Sequence, residues 1–159
     1  MTAPIYTFGY EGLTMDAFLH RLLSVGVEQV VDVRAVPLSR KKGFSKKSFA
    51  TALNRVEIAY IHVPALGCPK STRDRYRADG DWTLYTSSFL QYLDSQEAAL
   101  AELAKISVSL SSCLVCFEAD YLRCHRTYVA RALAEWSAFN VMHLTIKRVI
   151  PDQFERQAA

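Results

Sequence analysis

The chain has 159 residues, 50% of them hydrophobic and 22% charged, with a net charge of +3. That composition excludes collagen-like, low-complexity and dominantly disordered chains, and the charge falls far short of a histone-like polycation. No apolar run approaches the roughly 18 residues of a membrane span. The start Met1-Thr2-Ala3-Pro4-Ile5 shows no basic leader, and four Cys are too few for a disulfide scaffold. The expectation is one cytoplasmic domain over residues 1–159, with reduced thiols, no membrane partner and the last ~12 residues a polar tail.

Residues 5–10 read as a strand ending in the turn-prone Gly9-Tyr10-Glu11-Gly12. Thr14 can cap a helix carrying Phe18, Leu19, Leu22 and Leu23, which Gly26 stops. Residues 30–33 form a second apolar strand, interrupted by Asp32 and followed by Arg34. After a basic stretch over 37–47, Ser45 can cap a helix that buries Phe49, Ala52 and Leu53. Residues 58–63 predict a third strand, and 64–82 read as a long loop crowded with charge, Gly and Pro.

Helical spacing returns over 86–106, broken near Asp94-Ser95, with Trp82, Tyr85, Phe89 and Tyr92 as a core stripe. A strand at 113–117, a helix at 127–136 and a strand at 141–146 complete the pattern. Apolar strands alternating with helices predict an α/β, three-layer fold: a mostly parallel sheet of about five strands with helices on both faces.

Ligands in such folds bind at the carboxyl ends of the strands, and the reactive residues cluster there. Glu11 follows the first strand, Asp32 and Arg34 end the second, and His62 ends the third. Cys116 and Glu118 end the fourth and lead to Cys124-His125-Arg126 at a helix start. A thiol at a helix N-terminus beside Arg or His is acidified. Cys124 is therefore the candidate thiolate, with Glu118, Glu11 and His125 as acid/base groups. Arg126, Arg34, Arg40, Lys41 and His62 are candidates for binding an anionic group. Asp32, costly to bury unpaired, is expected to pair with Arg34 or Arg126. Cys116 also reads as a simple buried thiol.

No cofactor is expected. A metal is a rival reading, with Cys116, Cys124 and His62 as ligands. Cys-x7-Cys-His is not a standard zinc spacing, and adjacent Cys124 and His125 are not expected to face one ion. Two basic clusters flank this rim: Arg40, Lys41, Lys42, Lys46 and Lys47 around Phe44, and Lys70, Arg73, Arg75 and Arg77 around Tyr76. Basic residues interleaved with an aromatic suit phosphate contact and base stacking, so an anionic small molecule or a nucleic acid is the expected partner.

The ordered set Gly9-Tyr10-Glu11-Gly12, Asp32-Val33-Arg34, residues 37–45, residues 62–67, Cys116-Phe117-Glu118 and Cys124-His125-Arg126 resembles the DUF488 family over nearly the whole chain. The resemblance implies a small prokaryotic cytoplasmic α/β domain and implies no activity. It leaves Cys68 outside any shared chemistry. A fainter likeness to rhodanese-type domains rests on Asp32-Val33-Arg34 and a Cys-bearing loop between strand and helix. Two functions follow as expectations: an enzyme acting on a phosphorylated or nucleotide-like substrate through Cys124, or a non-enzymatic nucleic-acid-binding module using loops 40–47 and 70–77.

Overall fold

The computed structural model describes residues 3–153. In chain order its elements are β1 (Ala3–Gly9), α1 (Met15–Ser24), β2 (Gln29–Asp32), α2 (Lys46–Arg55), β3 (Ala59–His62), α3 (Lys70–Asp79), α4 (Trp82–Asp94), α5 (Glu97–Ser109), β4 (Ser112–Cys116), α6 (His125–Trp136), β5 (Phe139–Leu144) and β6 (Val149–Pro151). Short 3-10 turns lie at Pro64–Leu66 and Tyr121–Arg123. The sheet runs β3-β2-β4-β1-β5-β6. Its first five strands are parallel, and β6 pairs antiparallel with β5.

Successive strand residues face opposite sides, and the apolar runs use both. Phe8, Val30, Cys113 and Val115 pack with Phe18 of α1 and with Phe49 and Leu53 of α2. Their neighbours Ile5, Val31 and Leu114 pack with Phe89 of α4, Leu103 of α5 and Leu133 of α6. Full burial of one such side chain contributes about 1.5–3 kcal/mol, so both layers are held by the same currency.

The Thr14 hydroxyl accepts from the Ala17 N–H at 3.1 Å, as a cap should. Past the end of α1, Gly26 takes a φ of 75°, open to glycine at no steric cost. Ser45 sits at the N-cap position of α2 but turns its hydroxyl away: it accepts from the Ser39 N–H at 3.0 Å and so ties the basic loop to the helix.

Two segments depart from expectation. Residues 64–82 hold a 3-10 turn and the ten-residue helix α3 rather than a loop. α3 has no fully buried residue, so it carries no full apolar stripe to betray it. Exposed pairs Lys70–Asp74 and Arg75–Asp79, each one turn apart, support it instead. The stretch read as a tail supplies β6 at the sheet edge. Asp152, just beyond it, takes a two-pronged ion pair from Arg131 of α6 at 2.9 and 3.0 Å.

Candidate functional site

β1 and β4 lie side by side with Gly9 opposite Cys116. From their carboxyl ends the chain runs on to helices on opposite faces, β1 to α1 and β4 to α6, which opens a crevice there. The backbones stay paired beyond the strands, the Glu11 N–H donating to the Phe117 carbonyl at 2.8 Å. Gly9 makes the approach possible, because a Cβ there would lie 1.8 Å from the Glu118 carbonyl oxygen. That carbonyl accepts from Arg126 Nη1 at 2.6 Å. Glu11 accepts from the Ala119 N–H at 3.0 Å, so its carboxylate pins the 117–120 loop and does not line the cleft described below.

The loop delivers Glu118 to Cys124, with Oε2 3.3 Å from Sγ. Cys116 Sγ lies 3.9 Å from His125 Nδ1, and His125 Nε2 donates to the Val33 carbonyl at 2.7 Å. One ligand atom from each of Cys116, Cys124 and His125 lies within 4.8 Å of the others. The expectation that adjacent Cys124 and His125 cannot face one point therefore fails. Cys124 is the extended N-cap of α6 (φ −144°, ψ 138°), and His125 is its first helical residue, so their side chains do not diverge as two helical neighbours do.

Burial opposes charge on Cys124, but the Cys116 hydrogen bond, the Arg126 guanidinium and His125 outweigh it and hold this thiol well below its ordinary value. The same hydrogen bond, together with burial, pushes Cys116 well up. Burial and the neighbouring Cys124 charge raise Glu118. For His125 burial acts downward, yet Cys124 and the Val33 carbonyl raise it overall. Arg126 is fully buried. Its Nε and Nη2 have no hydrogen-bond partner, and no ion pair among the described residues includes it.

Asp32 chooses Arg34. Its carboxylate takes Arg34 Nε at 2.8 Å and Nη2 at 2.7 Å, and the Tyr60 hydroxyl at 2.6 Å. Arg34 Nη1 reaches the Tyr10 hydroxyl at 3.0 Å and the Phe44 carbonyl at 2.7 Å. Burial would lower the Arg34 value, and Asp32 more than reverses it. His62 Nε2 donates to the Arg34 carbonyl at 2.7 Å, so His62 braces the β2 end and stands outside the thiol cluster.

A cleft of about 580 Å³ covers these strand ends. Cys116, Glu118 and His125 line it, and Cys124 does not. Arg40 and Lys41 from the first basic loop and Arg73 and Arg77 from α3 border the same cleft, joined by Arg123. Part of each basic cluster thus forms a lip of one opening, while Lys42, Lys46, Lys47, Lys70 and Arg75 lie outside its lining. Sequence reasoning missed Tyr10, Cys68, Trp82, Tyr85 and Arg123 as lining groups. Trp82 and Tyr85 stack at 4.6 Å and pack on the core, as the stripe implied, while also facing the cleft. Burial and Cys68 push the Tyr85 hydroxyl far up.

The family described as domain of unknown function DUF488 matches residues 14–133. No curated protein and no solved structure matches the chain.

Proposed function

The chain belongs to the DUF488 family, and from its site we propose an enzyme that uses the Cys124 thiolate against an anionic substrate of the phosphorylated or nucleotide-like class. The observation that carries this reading is the Arg126 guanidinium, buried beside the thiols with no carboxylate paired to it. A buried cation without an anion is costly, and the Cys124 thiolate is the anion its surroundings favour.

In this reading the dithiol acts as a unit. Cys124 holds the charge, stabilised by the hydrogen bond from the Cys116 thiol, and its sulfur, 3.3 Å from the cleft-lining Glu118 carboxylate, attacks the electrophilic centre of the substrate. The new bond joins Cys124 sulfur to that centre as the leaving group departs with a proton from Glu118. Water, losing its proton back to Glu118, then frees the sulfur. Arg40, Lys41, Arg73 and Arg77 hold the anionic portion. Asp32 and Arg34 position the rim, and Glu11 positions the Glu118 loop.

The test is a screen of phosphorylated and electrophilic substrates with the native chain, Cys124→Ser and Cys116→Ser. Turnover is expected in the native chain and lost in both variants, with circular dichroism unchanged. Retained turnover in Cys124→Ser overturns the thiolate role.

A second reading draws on Tyr76 and Trp82, which share the cleft wall with Arg73 and Arg77. A nucleic-acid-binding module would stack bases there and hold phosphates on both lips. Its affinity would fall with salt at a slope near 0.9 per phosphate contacted in duplex DNA. Changing Lys41→Glu with Lys42→Glu would flatten that slope, and salt-insensitive binding would exclude the module.

A further inference from the structure

Cys116, Cys124 and His125 have a property that nucleophilic chemistry does not require: their three donor atoms converge on one point, with the Glu118 carboxylate beside Cys124. The Cys116 sulfur and His125 Nδ1 are 3.9 Å apart, and the Cys124 sulfur and a Glu118 oxygen are 3.3 Å apart. The two sulfurs and the imidazole nitrogen lie within 4.8 Å of one another. Around a tetrahedral zinc ion with ordinary Zn–S and Zn–N bonds, donor-to-donor edges come to about 3.5–3.8 Å. The Cys116–His125 edge is within a few tenths of an ångström of that range, and the other two, at most 4.8 Å, close by up to about 1 Å.

The surroundings fit as well. His125 Nε2 donates to the Val33 carbonyl, which leaves Nδ1 with a free lone pair directed at the sulfur. That is the outer support a metal-ligating imidazole needs to fix its tautomer and its plane. Charge also closes: two thiolates and the Glu118 carboxylate balance a divalent ion together with the buried Arg126 guanidinium. His62, held on the Arg34 carbonyl, plays no part.

We propose that Cys116, Cys124 and His125 bind one Zn2+ ion, with Glu118 as an exchangeable fourth ligand at the cleft. Binding releases the thiol protons to solvent and forms two Zn–S bonds. The inference rests on donor geometry and does not need the thiolate enzyme reading. The two concern alternative states of the same sulfurs, because a metal-bound thiolate is not free to attack.

The test starts from the full chain stripped of metal by a chelator, titrated with Zn2+ and with Co2+ as a coloured probe. One Zn2+ per chain is expected, with thiolate-to-cobalt charge-transfer absorption. That absorption should be lost in Cys116→Ser and in Cys124→Ser and kept in His62→Ala. In the unaltered chain, Zn2+ should protect Cys116 and Cys124 from alkylation and leave Cys68 and Cys113 unaffected, a readout that does not depend on any variant folding. Absence of the charge-transfer band together with absence of protection overturns the site. A pair that alkylates rapidly without metal but takes up no Zn2+ overturns the metal site alone. A pair that binds Zn2+ but, when metal-free, reacts no faster than Cys113 supports the metal site and removes the thiolate reading.

Discussion

Two buried arginines, one just past β2 and one in the first turn of α6, live in opposite circumstances. Arg34 is gripped by Asp32 through two side-chain hydrogen bonds, tied to Tyr10 and the Phe44 carbonyl, and faced by the rings of Tyr10 and Phe49. Arg126 is more deeply buried, yet holds one carbonyl and leaves two nitrogens unpartnered. A cation with its own carboxylate is a structural pin. A cation without one takes its anion from what surrounds it, and around Arg126 the groups that can supply charge are thiols.

The contrast can be broken most easily at Arg34. Asp32→Asn leaves a buried guanidinium without its anion and should cost about 3–5 kcal/mol in denaturant unfolding. A cost below about 1 kcal/mol, the range of an exposed pair, would erase the distinction. Next is Gly9→Ala, whose Cβ displaces the Glu118 carbonyl and with it the partner of Arg126. A loss of about 1–3 kcal/mol is expected, with slower alkylation of the Cys116–Cys124 pair read by mass spectrometry. Full stability and unchanged alkylation would mean that the loop is not held as described.

Arg126→Met strands no carboxylate, so stability should change by only about 1 kcal/mol for the lost carbonyl hydrogen bond. Thiol reactivity, in contrast, should fall about tenfold for each pKa unit that Cys124 regains. Unchanged reactivity at neutral pH would show that the guanidinium is not the counter-ion.

The smallest effect is on acid stability. Burial lowers His143, with Arg126 adding to it, although Asp152 pulls the other way. Burial acts upward on Asp152, but Arg131 and His143 hold it below its ordinary value. Below about pH 6.5 the unfolded His143 takes a proton first, so stability falls as pH drops. A second decline follows below about pH 4, as the unfolded Asp152 protonates ahead of the folded one. Removing the Arg126 charge should raise the folded His143 value and make the first decline shallower. An identical slope in Arg126→Met would place that charge too far from His143 to matter.

What the sequence made legible was whatever depends on local signals. Thr14, Gly26 and the break at Asp94-Ser95 mark helix ends because capping and chain geometry are local. Asp32 within an apolar run announced a buried pair, and Arg34 was one of its two foreseeable partners. Where stability comes without an apolar stripe the signal vanishes, which is why residues 64–82 read as loop although they hold α3. The three residues of β6 are too few to show alternation, and their anchor, Arg131 with Asp152, joins groups distant along the chain. The site was legible in position but not in role. His62 and His125 look alike as letters, and the fold alone sends one to a backbone carbonyl outside the cluster and the other to the thiols. Arg126 looked like a substrate arm, whereas helix α6 carries it beneath the surface.

The lips of the cleft have a consequence in time as well as in affinity. Arg40 and Lys41 project from one crossover and Arg73, Arg77 and Arg123 from others, while Glu118 is the carboxylate that shares the lining with them. Such a field acts on an anion before any contact is made and concentrates it at the opening. Ionic strength screens it within about 8–10 Å under ordinary conditions. Salt should therefore slow the arrival of an anionic ligand far more than it speeds its escape, because departure is governed by the short-range contacts inside.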